Sequence, residues 1–231
     1  MNHAFCLRAA TIAGVLALPF AVPHAMAAEE NVAPTINRNF KDPELDIDRY
    51  AESFSGESRE VFTAREEVIA AIGLQPGQTV ADIGAGTGIY TRLFAREVGA
   101  EGEVLAVDIA PDFLAYIDNW AEEEGFDQIT TILGEDQSPN LPENSVDVIF
   151  SSDTYHHFEY PVTMVSEMHK ALRDNGVMII VDYERTPERA QHVRAPKQSV
   201  IAEVESAGFK FVVEEEISGF TENYFLRFEK N

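Results

Sequence analysis

An acid and three alternating glycines lie between two apolar segments in the first half of the chain. The acid is Asp82, and the glycines are Gly84, Gly86 and Gly88. Residues 79–83 are apolar and β-prone, which predicts a buried strand, and residues 89–98 have the pattern of a helix. Because glycine has no Cβ, a turn of this kind lets the backbone approach a ligand closely. The spacing predicts a strand, a turn and a helix that together bind a nucleoside cofactor.

A second acid, Asp108, ends the next predicted strand, residues 104–108. It lies where a carboxylate that bonds a ribose hydroxyl is expected, roughly 20 residues after a glycine turn. A dinucleotide fingerprint also needs its third glycine three residues after the second, and this chain has Ile89 there. The carboxylate of Asp82 before the turn suits a ligand with a cationic amino group and no phosphate. A nicotinamide-dependent oxidoreductase with an aberrant third glycine stays an alternative.

This arrangement resembles motif I of the class I S-adenosylmethionine-dependent methyltransferases, Asp/Glu-x-Gly-x-Gly-x-Gly, and the resemblance extends over residues 58–231. It is closest to secreted bacterial members of unassigned substrate. It implies S-adenosyl-L-methionine as the cofactor, and it implies that Asp136 meets the adenine amino group. The cofactor-binding residues predicted in this way are Asp82, Gly84, Gly86, Gly88, Asp108, Ile109, Asp136 and Ser151.

The loop after the predicted fourth strand carries the candidate catalytic residues. They are Asp153, His156 and His157. Open sheets bind ligands at the C-terminal ends of their strands, and imidazole titrates near neutral pH. A histidine here is therefore a candidate to deprotonate an acceptor hydroxyl or amine. In the alternative interpretation, one ring packs in the interior with a hydrogen bond and the other faces solvent.

A second polar segment, residues 183–194, follows the predicted fifth strand. We predict that its His192 and Arg194, together with Tyr155 from the preceding loop, bind the substrate, and a salt-bridged surface loop is the alternative. A metal site that combines His192 with Asp153 and the tandem histidines is conceivable. We predict no metal, because adjacent histidines are expected to point apart and the sequence lacks a standard ligand spacing.

Strand and helix patterns alternate along the chain, which is typical of a parallel sheet with crossover helices. Together with the resemblance, this predicts an α/β, doubly wound, Rossmann-like seven-stranded fold with a mostly parallel sheet and an antiparallel last strand. The predicted strands are residues 79–83, 104–108, 129–133, 148–150, 175–182, 209–216 and 223–228. Helices are predicted at residues 59–72, 89–98, 111–124, 161–173 and 196–207. Residues 59–231 form the predicted methyltransferase domain, and the polar residues 28–58 are predicted to be extended or partly disordered.

Residues 1–27 have the composition of a secretory signal peptide. Their first eight residues contain one arginine and no acid, residues 9–22 are almost wholly apolar, and Ala25-Met-Ala27 offers small residues to a signal peptidase. The apolar run is shorter than the ~20 residues of a membrane-spanning helix. We expect cleavage after Ala27 and a periplasmic or secreted protein without stable membrane insertion.

The charge composition of the chain restricts the chemical class of its methyl acceptor. The chain has 17 Lys and Arg against 40 Asp and Glu, a formal net charge of −23. A strongly acidic surface repels phosphate, so no nucleic-acid partner is expected. We predict a small molecule or an exposed protein group as the methyl acceptor. Because S-adenosylmethionine is made in the cytosol, a non-catalytic binder of an adenosyl compound in the cell envelope stays an alternative.

Overall fold

A seven-stranded sheet lies at the centre of the computed structural model, which describes Met1 and residues 28–230. The strands are β1 (Thr79–Ile83), β2 (Glu103–Asp108), β3 (Ile129–Leu133), β4 (Val146–Ser152), β5 (Leu172–Tyr183), β6 (Phe209–Glu215) and β7 (Asn223–Lys230). Their order is β3-β2-β1-β4-β5-β7-β6, and within the described residues β7 runs antiparallel to β5 and β6 while the other neighbouring strands pair in parallel. The predicted mostly parallel sheet with an antiparallel last strand is confirmed.

Helices pack on both faces of this sheet. They are α1 (Ile47–Phe54), α2 (Glu60–Thr63), α3 (Arg65–Ile72), α4 (Ile89–Val98), α5 (Pro111–Glu124), α6 (Pro161–Ala171) and α7 (Lys197–Ser206), and Tyr155–His157 forms a short 3₁₀ turn. Side chains alternate between faces along a strand. Ala81 and Ile83 of β1 therefore pack in one apolar cluster with α6 and α7, and Val80 packs in another with α3 and α4. Because both faces are covered, all five residues of β1 are buried.

Two predicted helices differ from the structure at their limits. Residues 59–72 form two helices, α2 and α3, because Ala64 between them leaves the helical conformation with φ −99° and ψ 17°. The helix predicted to reach residue 173 ends at Ala171. Leu172 instead begins β5, where it pairs with Val146 and is fully buried. Burial in the sheet thus overrides the local helical pattern.

The sequence predicts that residues 28–58 are extended or partly disordered. The structure differs from this within the segment, because Ile47–Phe54 forms α1. Asp46 caps this helix, and its carboxylate accepts a hydrogen bond from the Arg49 N–H at 3.1 Å. The segment is also attached further along the chain, where the Val32 N–H donates to the Glu159 carbonyl at 2.9 Å. These contacts bring the segment over the C-terminal ends of the strands.

The predicted signal peptide, residues 1–27, lies outside the described residues apart from Met1, and it stays a prediction. Among the residues that are described, no helix combines the length and the apolar character needed to cross a membrane.

Candidate active site

A cavity of about 660 Å³ lies at the C-terminal ends of the first five strands. The glycine turn, Asp108 and Asp153 form its floor, and Phe40 and Phe54 from the N-terminal segment lie among its other lining residues. The edge of the sheet at which open α/β folds bind ligands is therefore enclosed by a segment that precedes the first strand.

Two of the predicted glycines line this cavity, and each is required by a close neighbour. At Gly84, φ is 74° and an added Cβ would lie 2.3 Å from Thr154 Cγ2. At Gly86, φ is 53° and an added Cβ would lie 3.1 Å from the Phe54 ring. A side chain at either position would enter occupied space and would strain the backbone.

Gly88 does not belong to the lining, contrary to its prediction as a cofactor-binding residue. It caps α4 with φ 80°, and an added Cβ would lie 2.6 Å from Trp120 Cζ2 of α5. Its neighbours Thr87 and Ile89 line the cavity instead. Gly88 therefore lets α5 pack closely against the turn, which is a structural role.

Two buried carboxylates stand on either side of the turn. Asp82 is 3% exposed and accepts a hydrogen bond from the Thr91 hydroxyl at 2.6 Å. Burial raises the pKa of Asp82 to about 7, and the nearby charge of Asp108 adds to this rise. Asp108 accepts hydrogen bonds from the Gly86 N–H at 2.8 Å and the Ala110 N–H at 2.9 Å, yet burial raises its pKa to about 6. A cationic ligand would stabilise both groups in their charged forms.

The remaining predicted cofactor residues differ in position. Ile109 and Asp136 line the cavity, and Asp136 forms an ion pair with Lys41 of the N-terminal segment at 2.5 Å. Ser151 is only 2% exposed and faces the interior, because side chains alternate along β4. The next residue, Ser152, lines the cavity in its place. Ser151 is therefore outside the cavity lining, and its role in binding the cofactor stays a prediction.

The tandem histidines face the same side, contrary to the expectation that they point apart. The 3₁₀ turn brings the ring centroids of His156 and His157 to 4.3 Å. His156 Nδ1 lies 2.6 Å from Asp182 Oδ1, and its Nε2 lies 3.0 Å from Nε2 of His192. The backbone N–H of His156 also donates to Asp182 Oδ2 at 2.9 Å. Asp182 at the end of β5 is a site residue that the sequence reasoning missed, although an acid at a strand end is a signal for one.

The three histidines differ in basicity. Burial disfavours a charge on His156, but the Asp182 carboxylate outweighs it and raises the pKa of His156. Burial and the other two rings lower the pKa of His157 to about 3. Burial and His156 also lower the pKa of His192. Of the three rings, His156 is therefore the one best suited to accept a proton.

Asp153 lines the cavity, but both of its oxygens have partners. The Arg59 guanidinium donates to Oδ2 at 2.5 Å, and the Asn223 side-chain amide donates to Oδ1 at 2.7 Å. Asp153 also holds φ at 47°, an uncommon conformation for a residue other than glycine. These contacts join the loop to the residue before α2 and to the start of β7. Asp153 is therefore better described as a positioning residue than as a free base.

Two predicted substrate residues, Tyr155 and Arg194, lie away from the cavity. Tyr155 is 1% exposed and its hydroxyl donates to Glu203 at 2.9 Å. Arg194 donates two hydrogen bonds to the same carboxylate at 2.8 and 2.7 Å. Both side chains join their segments to α7 and lie outside the cavity lining, unlike the position predicted for them. His192, the third of the set, does line the cavity.

Comparisons with known proteins agree with this geometry. Residues 81–180 match the family model described as a methyltransferase domain. A sterol 24-C-methyltransferase of Yarrowia lipolytica is 28% identical over 142 residues, which cover 60% of this chain and 37% of that protein. An arsenite methyltransferase of Halobacterium salinarum is 27% identical over 113 residues, 49% of this chain and 29% of that protein. The chain thus spans well under two thirds of these curated relatives.

Solved structures show the same fold. A SAM-dependent methyltransferase from Aquifex aeolicus superposes with a TM-score of 0.69 at 24% identity, covering 79% of this chain and 97% of that one. The [4+2]-cyclase SpnF superposes with a TM-score of 0.63 at 15% identity, covering 72% and 80%. Because a protein described as a cyclase shares the fold, the fold by itself does not set the reaction. The methyltransferase domain matched over residues 81–180, together with the glycine turn, supports S-adenosyl-L-methionine as the cofactor.

Proposed function

We propose that this protein transfers a methyl group from S-adenosyl-L-methionine to an acceptor bound in the same cavity. The observation that carries this proposal is that the glycine turn, Asp108 and His156 line one cavity. The sulfonium is already activated, so alignment of the acceptor with the methyl group supplies most of the rate. The acceptor is a small molecule or an exposed protein group, and the net charge of −23 supports an acceptor other than nucleic acid.

His156 accepts the proton of a weakly acidic acceptor at Nε2. Asp182 holds the other ring nitrogen at 2.6 Å, which fixes the orientation of the ring and stabilises its protonated form. His192 is exposed, so its ring is free to move aside when an acceptor reaches His156 Nε2. His157, with its pKa lowered to about 3, stays neutral and packs against the acceptor space.

Transfer of a labelled methyl group tests this function. The protein is incubated with methyl-labelled S-adenosylmethionine and an extract of the cell that produces it, and labelled products are separated and counted. His156→Ala should lower the labelling rate by about 10² or more, the usual size of a general-base contribution, and leave cofactor affinity nearly unchanged. His169→Ala is the matched control, since His169 lies on α6 outside the cavity lining.

Equal labelling by the wild type and the His156→Ala variant would refute His156 as the base while keeping the transferase function. Binding of S-adenosylmethionine without labelling of any product, in the wild type as well, would contradict the transferase function. It would favour a binder of an adenosyl compound.

A further inference from the structure

Three imidazoles from two separate loops meet at one end of the cavity. His156 and His157 come from the 3₁₀ turn after β4, and His192 comes from the segment after β5. One ring nitrogen of each lies within 4.8 Å of the other two. We propose that these three histidines bind a divalent transition-metal ion.

The spacing of the nitrogens is close to that of a metal site. Zinc binds histidine at 2.0–2.1 Å in tetrahedral geometry, which places two ligand nitrogens about 3.3 Å apart. His156 Nε2 and His192 Nε2 are 3.0 Å apart. The His157 nitrogen lies within 4.8 Å of both, so it must approach them by at most about 1.5 Å to reach the same geometry. The exposed position of His192 makes the small ring rotations feasible.

Asp182 favours the tautomer of His156 that can bind a metal ion. Its carboxylate, 2.6 Å from Nδ1, holds the proton on that nitrogen and leaves a lone pair on Nε2. A carboxylate that bonds the second nitrogen of a ligating histidine is the usual partner in protein metal sites, because it fixes the ring and makes it more basic. His156 Nε2 lies 3.0 Å from His192 Nε2, so an ion bound by both rings would replace the hydrogen bond between them.

His157 supplies a further available nitrogen. Among the described residues, its buried Nδ1 has no hydrogen-bond partner. Leaving a buried nitrogen without a hydrogen-bond partner destabilises the folded protein by about 1–3 kcal/mol. Such atoms are therefore rare unless a ligand or ion satisfies them. Phe40 packs edge-on against the ring with centroids 5.4 Å apart, which limits the positions that the ring adopts.

The ligand set restricts the ion and its coordination. Imidazole nitrogens favour Zn²⁺, Cu²⁺, Ni²⁺ and Fe²⁺, whereas Mg²⁺ and Ca²⁺ require oxygen ligands. Three protein ligands leave a fourth position open, as in catalytic zinc sites. The three histidines line the cavity that holds the glycine turn, so this position faces the space for an acceptor.

Metal and proton compete for the same nitrogen of His156. In the metal-bound protein His156 is a ligand and not a base, and an acceptor hydroxyl at the open position becomes more acidic by coordination. The metal site therefore gives the cavity a second way to activate an acceptor. Its existence does not depend on methyl transfer, since metal binding is measured without cofactor.

Equilibrium dialysis of the chelator-treated, untagged full chain against Zn²⁺ tests the site. We expect the wild type to bind one tight equivalent. His192→Ala should weaken Zn²⁺ binding at least tenfold, and Asp182→Asn should weaken it by about 10- to 100-fold, the usual effect of removing an outer-shell carboxylate. His169→Ala, outside the cluster, should bind as the wild type does. Equal affinity in the wild type, His192→Ala and His169→Ala proteins, or no tight site in the wild type, overturns the proposal.

A spectroscopic measurement on the wild type guards against variants that fail to fold. Co²⁺ in place of Zn²⁺ should give the intense visible absorption of tetrahedral nitrogen coordination. The weak absorption of the hydrated ion would overturn the proposal. Because neither measurement involves S-adenosylmethionine, a failed metal site is distinguishable from a failed methyltransferase.

Discussion

Gly84 and Gly77 have similar backbone angles, with φ of 74° and 85°, but different surroundings. No described atom lies within 4 Å of a Cβ added at Gly77, whereas one added at Gly84 would collide with Thr154. Alanine at either position carries the strain of a left-handed backbone, about 1–2 kcal/mol. Gly84→Ala should lose about 1–3 kcal/mol more through overpacking. Thermal unfolding of the two variants checks this, and equal losses would contradict the packing of Thr154 on the turn.

Asp108 is the residue whose removal should most directly weaken cofactor binding. Asp108→Asn keeps the shape of the side chain but removes the charge that would accept hydrogen bonds from a ribose. We expect the affinity for S-adenosylmethionine to fall by about 1.5–3 kcal/mol, the scale for hydrogen bonds to charged groups. Titration calorimetry measures it, with Asp118→Asn on α5 as the control. Unchanged affinity would exclude Asp108 as a ribose ligand.

The sequence predicts the residues of the turn better than it predicts their roles. Asp82 and Asp108 are recognised from their positions before the glycine turn and at the end of the next strand, and both line the cavity. The roles of Gly88 and Ser151 depend on which side of the backbone faces the cavity, and a shift of one residue reverses that side. Asp182 was missed because its partner His156 is 26 residues away, and the two meet only when β4 and β5 lie side by side.

At the scale of elements, α1 acts as a cover for the cavity. None of its residues is buried, so its position depends on aromatic contacts. Phe54 lies 5.4 Å from Tyr50 and 5.8 Å from Phe113 of α5, measured between ring centroids. Phe54 also lies over Gly86 of the turn. The cover therefore connects the N-terminal segment to both the cofactor turn and α5.

Phe54→Ala should weaken S-adenosylmethionine binding by about 0.5–1.5 kcal/mol, the contribution of one aromatic pair, because it removes the contact of Phe54 with Phe113 that holds α1 against α5. Fluorescence or calorimetric titration of the cofactor measures the change. Phe211→Ala on β6, which packs against Phe228 away from the cavity, is the matched control. An equal effect of both variants would mean that α1 does not cover the cofactor.

The strands and helices that the sequence predicts well are those with a clear apolar pattern and marked ends. Strands such as β1 are short apolar runs between turn residues, and a sheet buried on both faces requires such runs. The helix α5 begins at Pro111 and is followed by Gly125 in a left-handed conformation. Proline and glycine are typical of these two positions, so the sequence predicts both ends of the helix. By contrast, α1 is a short helix in a polar segment, and its aromatic partners come from a distant part of the chain.

At the scale of the whole molecule, burial of acids makes stability depend on pH. The pKa of Asp82 is about 7 in the folded protein against an ordinary value of 3.8. The unfolded chain therefore loses this proton first, and the free energy of unfolding falls as pH rises from about 4 to about 7. The contribution is at most about 4 kcal/mol. Urea unfolding across this range should show a smaller fall in Asp82→Asn than in the wild type, and parallel curves would contradict a buried, protonated Asp82.

The acceptor was beyond prediction from the sequence because its part of the cavity comes from distant segments. The loop after β4, the segment after β5 and the residues before α2 meet only in the folded chain. Local patterns describe each as a polar loop, and the pairs that hold them together, such as Arg59 with Asp153, are separated by 94 residues. The cofactor half differs because one continuous segment forms most of it.

Calorimetric titration of the purified protein with S-adenosylmethionine, S-adenosylhomocysteine and NAD tests the central claim most directly. The turn lacks the third glycine that a pyrophosphate requires, and the carboxylates of Asp82 and Asp108 favour a ligand with a cationic amino group over one with a doubly negative pyrophosphate. We predict that both adenosyl compounds bind at one site per chain and that NAD does not bind measurably. Binding of NAD, or binding of neither adenosyl compound, would contradict the assignment of this cavity to S-adenosylmethionine.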